Sequence, residues 1–251
     1  MSTDFILVLL AGVGAGFLNA VVGAGTLVTF SVLVSLGLPP LVANVTSAVG
    51  IFPGSLAGAY AYRDILRKPE NRRLSFRATG SMTLGVLIGI PLLLFLPPKV
   101  FTSIVPWFIV SAGVLTLLQP WLTKRAVNHA ARQSPQGVIF IIGLIVAGVY
   151  LAYFGAATGV IVLSVLLYVG IDNLQQANAT KNLATGIGNG IVGVVFLFVA
   201  PVVISFAIAI AIGAVIGGLL GGRFAQRLSP IVFRICIGGI AVIAAVAAVL
   251  T

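Results

Sequence analysis

Gly23-Ala24-Gly25-Thr26 and Ala43-Asn44-Val45-Thr46-Ser47 are matched later in the chain by Ala157-Thr158-Gly159 and Ala177-Asn178-Ala179-Thr180-Lys181-Asn182. In both places an apolar run separates the glycine-containing element from the Asn/Thr element. The Gly, Asn and Thr positions coincide at a constant offset of 134 residues. A duplicated apolar chain whose copies share short polar motifs is typical of a transporter built from two repeats, with its binding site between them.

The composition places the chain in a membrane. Hydrophobic residues make up 60% of it, charged residues only 7%, and its mean hydropathy is +1.21. Soluble domains carry about 25% charged residues, so this chain has too few polar groups to cover its surface in water. The net charge of +10 fits an excess of Lys and Arg beside the cytoplasmic leaflet, and no nucleic-acid partner is expected. The sole cysteine, Cys236, excludes an internal disulfide.

Apolar segments divide the chain into two similar halves. We therefore predict an all-α polytopic membrane protein with two inverted-topology repeats of about five helical segments each. The first membrane repeat is expected at 1–118, a cytoplasmic linker at 119–136 and the second repeat at 137–251. The segments are expected at 5–22, 21–38, 41–62, 78–96, 100–118, 138–155, 156–170, 174–200, 202–222 and 231–250.

The first two segments of each half form a pair of short legs around glycines. The leg 157–169 falls well short of the roughly 20 residues that a full crossing needs. Each pair is thus either a re-entrant hairpin or two tilted, closely packed helices. Gly25 and Gly159 are the expected turning points. They need to be glycine either because the backbone approaches a ligand or takes a positive φ, or because helices pack closely there.

The Lys and Arg residues indicate the topology. They collect in three polar breaks, 63–77, 119–136 and 223–229, whereas the opposite breaks contain only Lys99. The positive-inside rule places the three basic breaks in the cytoplasm. Following the chain from them puts the N-terminus outside and makes the second half enter the membrane from the opposite side. The prediction is a multi-pass protein of the cell (inner) membrane, whose halves are related by a pseudo-two-fold axis in the membrane plane.

Several of these stretches together resemble a known family. They are the glycine-rich hairpin, the run to Gly37-Leu38-Pro39-Pro40, and Ala43–Ser47 followed by the stretch from Pro53 to Tyr60. In this order they are similar to the sulfite exporter TauE/SafE family, and the resemblance runs through both repeats. It implies an inverted-repeat permease that moves sulfite, sulfoacetate or related organosulfur anions, usually outward.

The ionisable residues argue against an enzyme. The carboxylates Asp4, Asp64, Glu70 and Asp172 all lie in breaks or at ends, and the only histidine, His129, lies in the middle break. The sequence shows no metal-ligand spacing and no nucleophile–base pair, so no catalysis, metal or cofactor is predicted. A proton relay through buried acids is likewise unsupported.

Neutral polar side chains form a stripe on each of two corresponding helices. A spacing of three or four residues puts such side chains on one helix face. Paired stripes are what an anion path between the repeats needs. The alternative is that these side chains bind helices to one another, at about 0.6 kcal/mol each. The stripes are Asn44, Ser47 and Ser55 in the third segment, with Ile51 on the same face, and Asn178, Asn182, Thr185 and Asn189 in the eighth.

The elbows and stripes together give the predicted substrate-binding residues. Lys181 is the one cation among them, and two interpretations stay open: it either snorkels to the headgroups or supplies a charge to the cavity. The complete set is Gly23, Gly25, Asn44, Thr46, Ser47, Ser55, Gly159, Asn178, Thr180, Lys181, Asn182 and Asn189.

The predicted function is export of a small sulfur-containing oxyanion, sulfite or an organosulfonate such as sulfoacetate, by alternating access between the repeats. The expected partners are that anion and membrane lipids. The alternatives are a channel-like anion conductor, an importer of a related sulfur compound, or a membrane scaffold without flux. The sequence makes no prediction of the oligomeric state.

Overall fold

The computed structural model describes residues 2–129, 137–171 and 173–227, and every regular element in these ranges is a helix. The predicted all-α class is confirmed. The predicted segment at 231–250 lies outside the described residues. The helices are α1 (Ser2–Val21), α2 (Gly25–Ser35), α3 (Pro40–Ala61), α4 (Arg63–Leu66), α5 (Pro69–Phe95), α6 (Pro98–His129), α7 (Val138–Tyr153), α8 (Thr158–Tyr168), α9 (Leu174–Val199) and α10 (Ile204–Arg227).

The helices differ in length, from four residues in α4 to 32 in α6. In the described part of the chain, six of them (α1, α3, α5, α6, α9 and α10) are long and apolar enough to cross a membrane, which confirms a polytopic membrane protein. Helices α2 and α8 have 11 residues each. At 1.5 Å per residue they are about 16 Å long, roughly half of the hydrocarbon core. Each is thus too short to cross the hydrocarbon core alone.

The two halves of the chain pack into one another. Helix α1 of the first half packs along α10 of the second, and α7 of the second half packs along α5 of the first. Helices α3 and α9 contact each other between these pairs, with α3 also against α10 and α9 also against α5. An offset of 134 residues turns α1 into α7 and α5 into α10, so each of these contacts has a counterpart.

Glycines make the two inter-half contacts close. A Cβ on Gly12 of α1 would lie 2.7 Å from the carbonyl oxygen of Ile210 in α10. A Cβ on Gly89 of α5 would lie 2.5 Å from the carbonyl oxygen of Val149 in α7. Small residues let membrane helices approach backbone to backbone. Part of the glycine content therefore serves packing between the halves.

The basic breaks are helical to a large extent. Arg63–Leu66 forms α4, and α5 begins at Pro69, where proline suits the first helical turn. Helix α6 continues to His129, so the predicted linker at 119–136 begins within a helix. Helix α10 runs to Arg227. The run of apolar residues indicates which part of a helix can lie in lipid. The helix itself continues past the end of that run into the basic break.

Candidate functional site

Both short helices start beside a residue with left-handed backbone conformation. Gly23, with φ +86°, comes just before α2, and Ala157, with φ +56°, directly precedes α8. These two residues are equivalent at the 134-residue offset. A left-handed alanine costs about 1–2 kcal/mol, so the surrounding fold imposes this turn even where glycine is missing. We call residues 20–26 the first elbow and residues 154–160 the second elbow.

The two elbows contact each other. The backbone N–H of Gly159 donates to the carbonyl oxygen of Gly23 at 3.1 Å. A Cβ on Gly23 would overlap the Cα of Gly159, and one on Gly25 would overlap the carbonyl oxygen of Ala15 in α1. The positive φ that was one possibility at Gly25 and Gly159 is instead at Gly23, Gly155 and Ala157. Gly25 and Gly159 lie inside helices, where close packing is what requires glycine.

The elbow contact is enclosed and brings together two helix N-termini. Residues 18–27 and 151–160 are all buried. Helices α2 and α8 both begin here, and each helix N-terminus carries a partial charge of about +0.5 from its aligned peptide dipoles. Helices α1 and α7 end at the same elbows, so these two N-termini lie beside two helix C-termini that each carry a partial charge of about −0.5.

Lys181 lies at the first elbow and does not snorkel. Its side chain is fully buried, with 0% of its surface exposed. Its Nζ donates to the carbonyl oxygens of Ala20 at 3.3 Å and Val21 at 3.2 Å, which end α1. Among the described residues the ammonium contacts no carboxylate. Peptide carbonyls at a helix C-terminus solvate a cation without cancelling its charge.

Asn182 and Asn178 adjoin this lysine on α9. The Nδ2 of Asn182 donates to the carbonyl oxygens of Ala20 and Asn178, both at 3.0 Å. The Oδ1 of Asn178 is buried and has no hydrogen-bond partner among the described residues. A buried polar atom without a partner calls for an explanation such as a ligand. Among the predicted site residues, Asn178 therefore has a buried side-chain oxygen that can still accept a hydrogen bond.

Ser55 is the centre of a hydrogen-bond network between three helices. Its Oγ accepts from Nδ2 of Asn19 in α1 at 2.8 Å and from Nδ2 of Asn189 in α9 at 3.1 Å. It also donates to the carbonyl oxygen of Ile51 at 3.1 Å. Ser55 and Asn189 are 134 residues apart, so here the two predicted stripes touch at equivalent positions.

Asn44 and Thr46 bind α3 to the second half. The Nδ2 of Asn44 donates to the carbonyl oxygen of Tyr153 at the end of α7, at 3.1 Å. The Oγ1 of Thr46 accepts from the backbone N–H of Val203 at 3.1 Å. Both contacts connect helices, which is the packing role considered for these residues.

Ser47 and Thr180 form hydroxyl pairs with other helices. Ser47 Oγ lies 2.5 Å from Thr29 Oγ1 in α2, and Thr180 Oγ1 lies 3.0 Å from Ser75 Oγ in α5. These four side chains are all buried. The structure therefore divides the predicted set into helix-binding residues and a smaller group at the first elbow.

Some partners in these networks were not predicted. Asn19 and Thr29 lie in the first two apolar segments, Ser75 lies in the basic break 63–77, and none of them belongs to a predicted stripe. Asn19 is nevertheless the only amide side chain in the first two apolar segments. Because a polar group at membrane depth is costly, its presence there was a usable signal.

Comparisons with known proteins agree with this architecture. Residues 8–248 match the profile of the sulfite exporter TauE/SafE family. The chain is 28% identical over 188 residues to the probable membrane transporter protein ORF9 of Sinorhizobium sp, covering 73% of this chain and 69% of that protein. It is also 28% identical over 185 residues to a probable membrane transporter protein of Haemophilus influenzae, covering 69% of each.

A third relative has a similar name. The probable membrane transporter protein YfcA of Escherichia coli K12 is 26% identical over 188 residues, covering 74% of this chain and 66% of that protein. No solved structure matches. The profile spans nearly the whole chain, including both elbows and both polar stripes. The chain belongs to the sulfite exporter TauE/SafE family of membrane transporters.

Proposed function

We propose that this transporter exports a small sulfur-containing oxyanion, sulfite or an organosulfonate such as sulfoacetate, and that it binds the anion where the elbows meet. The observation that carries the proposal is the Lys181 ammonium, fully buried with no carboxylate contact among the described residues. A charge buried without an opposite charge is expensive. An anion arriving beside it would remove that cost, so binding is favoured by the arrangement itself.

The donors near Lys181 suit a compact oxyanion. The ammonium has three donor hydrogens, of which two are directed at Ala20 and Val21. The N-terminus of α2 adds backbone N–H groups and partial positive charge, an arrangement that binds sulfate-like groups elsewhere. The Asn178 amide offers both a donor and an acceptor, and its acceptor fits the proton of hydrogen sulfite.

The contacts between equivalent residues support alternating access between inverted repeats. Ser55 and Asn189 touch at equivalent positions, and the α1–α10 contact has its counterpart in α7–α5. Equivalent residues meet only near a two-fold axis. In the proposed cycle the enclosed elbows are an occluded arrangement. Lys181 exchanges the α1 carbonyls for the anion, and rocking of the repeats opens the site to one side at a time.

Export requires no coupling acid in this proposal. The basic ends at 63–77 and 223–227 place the cytoplasmic side by the positive-inside rule. An inside-negative membrane potential then drives an anion outward, by about 2.3 kcal/mol per charge for each 100 mV. Flux should therefore carry current and saturate with substrate.

The test is transport by purified protein in proteoliposomes with an imposed potential. We expect saturable, potential-driven flux of sulfite or sulfoacetate that exceeds chloride flux. Lys181→Gln should reduce this flux at least tenfold. Lys99→Gln, which removes an exposed charge distant in sequence from the elbows, should leave it unchanged. Flux that rises linearly with substrate would instead identify a channel-like conductor. Equal sulfite flux in the Lys181→Gln variant would overturn the proposed site.

A further inference from the structure

Arginines at the basic end of α3, α4 and α5 surround two neighbouring clefts of about 470 and 490 Å³. The first cleft contains Arg63, and the second contains Arg73 and Arg77. Arg67 and Arg72 line both clefts and separate them. None of the described residues lining either cleft is a carboxylate. Like charges held this close repel one another, so the clefts attract an anion that spans both.

The arginines at the boundary are free to bind such an anion. Arg63 is already engaged, because its guanidinium stacks 4.6 Å above the Tyr60 ring and its Nε lies 3.8 Å from Asp64. Arg67 and Arg72 are exposed and have no ion-pair partner among the described residues. Guanidinium groups match the geometry of phosphate oxygens through paired hydrogen bonds.

An exposed apolar strip of α5 adjoins the second cleft. Phe76, 79% exposed, lines that cleft, and Leu84, 56% exposed, lies two turns further along the same face. Between them is Gly80, where an added Cβ would meet no atom of the described residues within 4 Å. We call this strip, which has no side chain at Gly80, the α5 groove. A ligand for this surface has phosphates at one end and hydrocarbon at the other.

We propose that the two clefts and this groove bind an acidic phospholipid with two phosphates, a diphosphatidylglycerol. Each cleft takes one phosphate, Arg67 and Arg72 bridge them, and an acyl chain lies over Gly80. A free inorganic anion would use the arginines and gain nothing from the exposed Phe76 and Leu84. A lipid with one phosphate would occupy one cleft and leave the repulsion in the other.

The test is lipid titration of the full-length protein in detergent, followed by native mass spectrometry. We expect diphosphatidylglycerol to bind more tightly than phosphatidylglycerol, and phosphatidylcholine to bind weakly. The double variant Arg67→Gln/Arg72→Gln should weaken diphosphatidylglycerol binding about thirtyfold, since each surface cation is worth roughly a factor of five. The matched control Lys99→Gln/Arg223→Gln loses the same charge outside the clefts and should bind within twofold of wild type.

Gly80→Phe separates a lipid from a free anion. The substitution fills the groove without changing the arginines, so it should weaken diphosphatidylglycerol binding while leaving the direct binding of inorganic phosphate unchanged. All substituted arginines are exposed, so the variants should keep the wild-type melting temperature without lipid. Equal weakening by the control pair, or wild-type binding by the Arg67/Arg72 variant, would overturn the site. Displacement of the lipid by inorganic phosphate at micromolar concentration would show a free-anion site instead.

Discussion

Helices α3 and α9 are equivalent elements that differ by one charge. Ser47 of α3 and Lys181 of α9 stand 134 residues apart, and both are fully buried. Ser47 shares a hydrogen bond with the Thr29 hydroxyl at 2.5 Å. Lys181 instead reaches the carbonyls that end α1. Among the described residues, both halves contain buried polar contacts between helices, whereas only the second half supplies a buried cation, Lys181.

The difference between the two helices distinguishes residues that pack helices together from the residue proposed to bind the anion. Residues repeated in both halves, such as Asn44 and the elbow glycines, mostly hold helices together. In the proposed site the one buried ammonium offsets negative charge on the bound anion, and a second buried lysine at position 47 would add its own desolvation cost. The departure from the repeat therefore points to the binding chemistry more sharply than the repeat does.

The largest expected effect comes from breaking the elbow contact that both halves share. Gly159→Val places a branched side chain against the Cα of Gly23, and backbone cannot yield as a flexible side chain can. We expect a loss of about 3 kcal/mol or more of stability and no transport. Gly25→Val should act similarly, through the Ala15 carbonyl. Melting temperature and flux per molecule on the same preparation measure both effects.

Gly190→Val is the matched control for these elbow variants. It lies in α9, and a Cβ there would meet no atom within 4 Å. The free energy of unfolding should change by less than about 1 kcal/mol, because valine is a slightly better helix former than glycine. A Gly159→Val protein with wild-type flux and melting temperature would show that the elbows need not touch.

The second prediction tests the difference between α3 and α9 directly. Lys181→Met removes the buried charge and keeps an unbranched apolar chain. Replacing a buried charge by an apolar group is often neutral or stabilising. We therefore expect a melting temperature within a few degrees of wild type together with at least a hundredfold loss of flux.

Ser47→Ala is the counterpart on α3. It removes the bond to Thr29 and should cost about 1 kcal/mol, with flux retained per folded molecule. Loss of flux without loss of stability in Lys181→Met, and loss of stability without loss of flux in Ser47→Ala, would confirm that α9 binds the anion and α3 holds helices together. If Lys181→Met unfolds the protein while Ser47→Ala abolishes flux, the two helices have exchanged roles.

Much of the fold follows from sequence because lipid imposes simple rules. Long apolar segments must be helices in a membrane, and the duplicated motif located α2, α3, α8 and α9 within a few residues. The helix ends in the basic breaks were not predicted. The apolar residues end before the helical hydrogen bonds do, and α6, for example, continues to His129.

The details of the site were harder to predict. Periodicity put Asn44 and Asn178 on corresponding faces, yet it carries no information on which carbonyl each amide meets across the halves. A positive φ was one possibility at Gly25 and Gly159, whereas in the second elbow Gly155 and Ala157 have it. The backbone conformation of the second elbow depends on its contact with the first elbow. The sequence of one segment alone does not predict that contact.

The third prediction concerns Ser55, where the two halves meet. Ser55→Ala deprives both Asn19 and Asn189 of their common acceptor. Donors left unsatisfied in a buried place cost about 1–3 kcal/mol. Thermal unfolding in detergent should show this loss. Ser164→Ala is the control, because the buried Ser164 hydroxyl has no partner within the part of the chain that the structure describes and its removal should be neutral. Equal melting temperatures for the two variants would mean that water replaces the missing acceptor.

The smallest effects are expected from the equivalent pair Asn44 and Asn178, and here the two halves should differ in kind. Asn44→Leu loses the bond to the Tyr153 carbonyl and should cost about 0.6 kcal/mol, with flux per folded molecule nearly unchanged. Asn178→Leu removes an amide whose Oδ1 has no partner among the described residues. Its stability should hold or rise, while flux falls several-fold because the anion loses a ligand beside Lys181. Comparing saturation curves with melting temperatures for both variants tests this. If both variants lose flux equally without losing stability, Asn44 binds the anion too, and the site is shared by both halves rather than concentrated on α9.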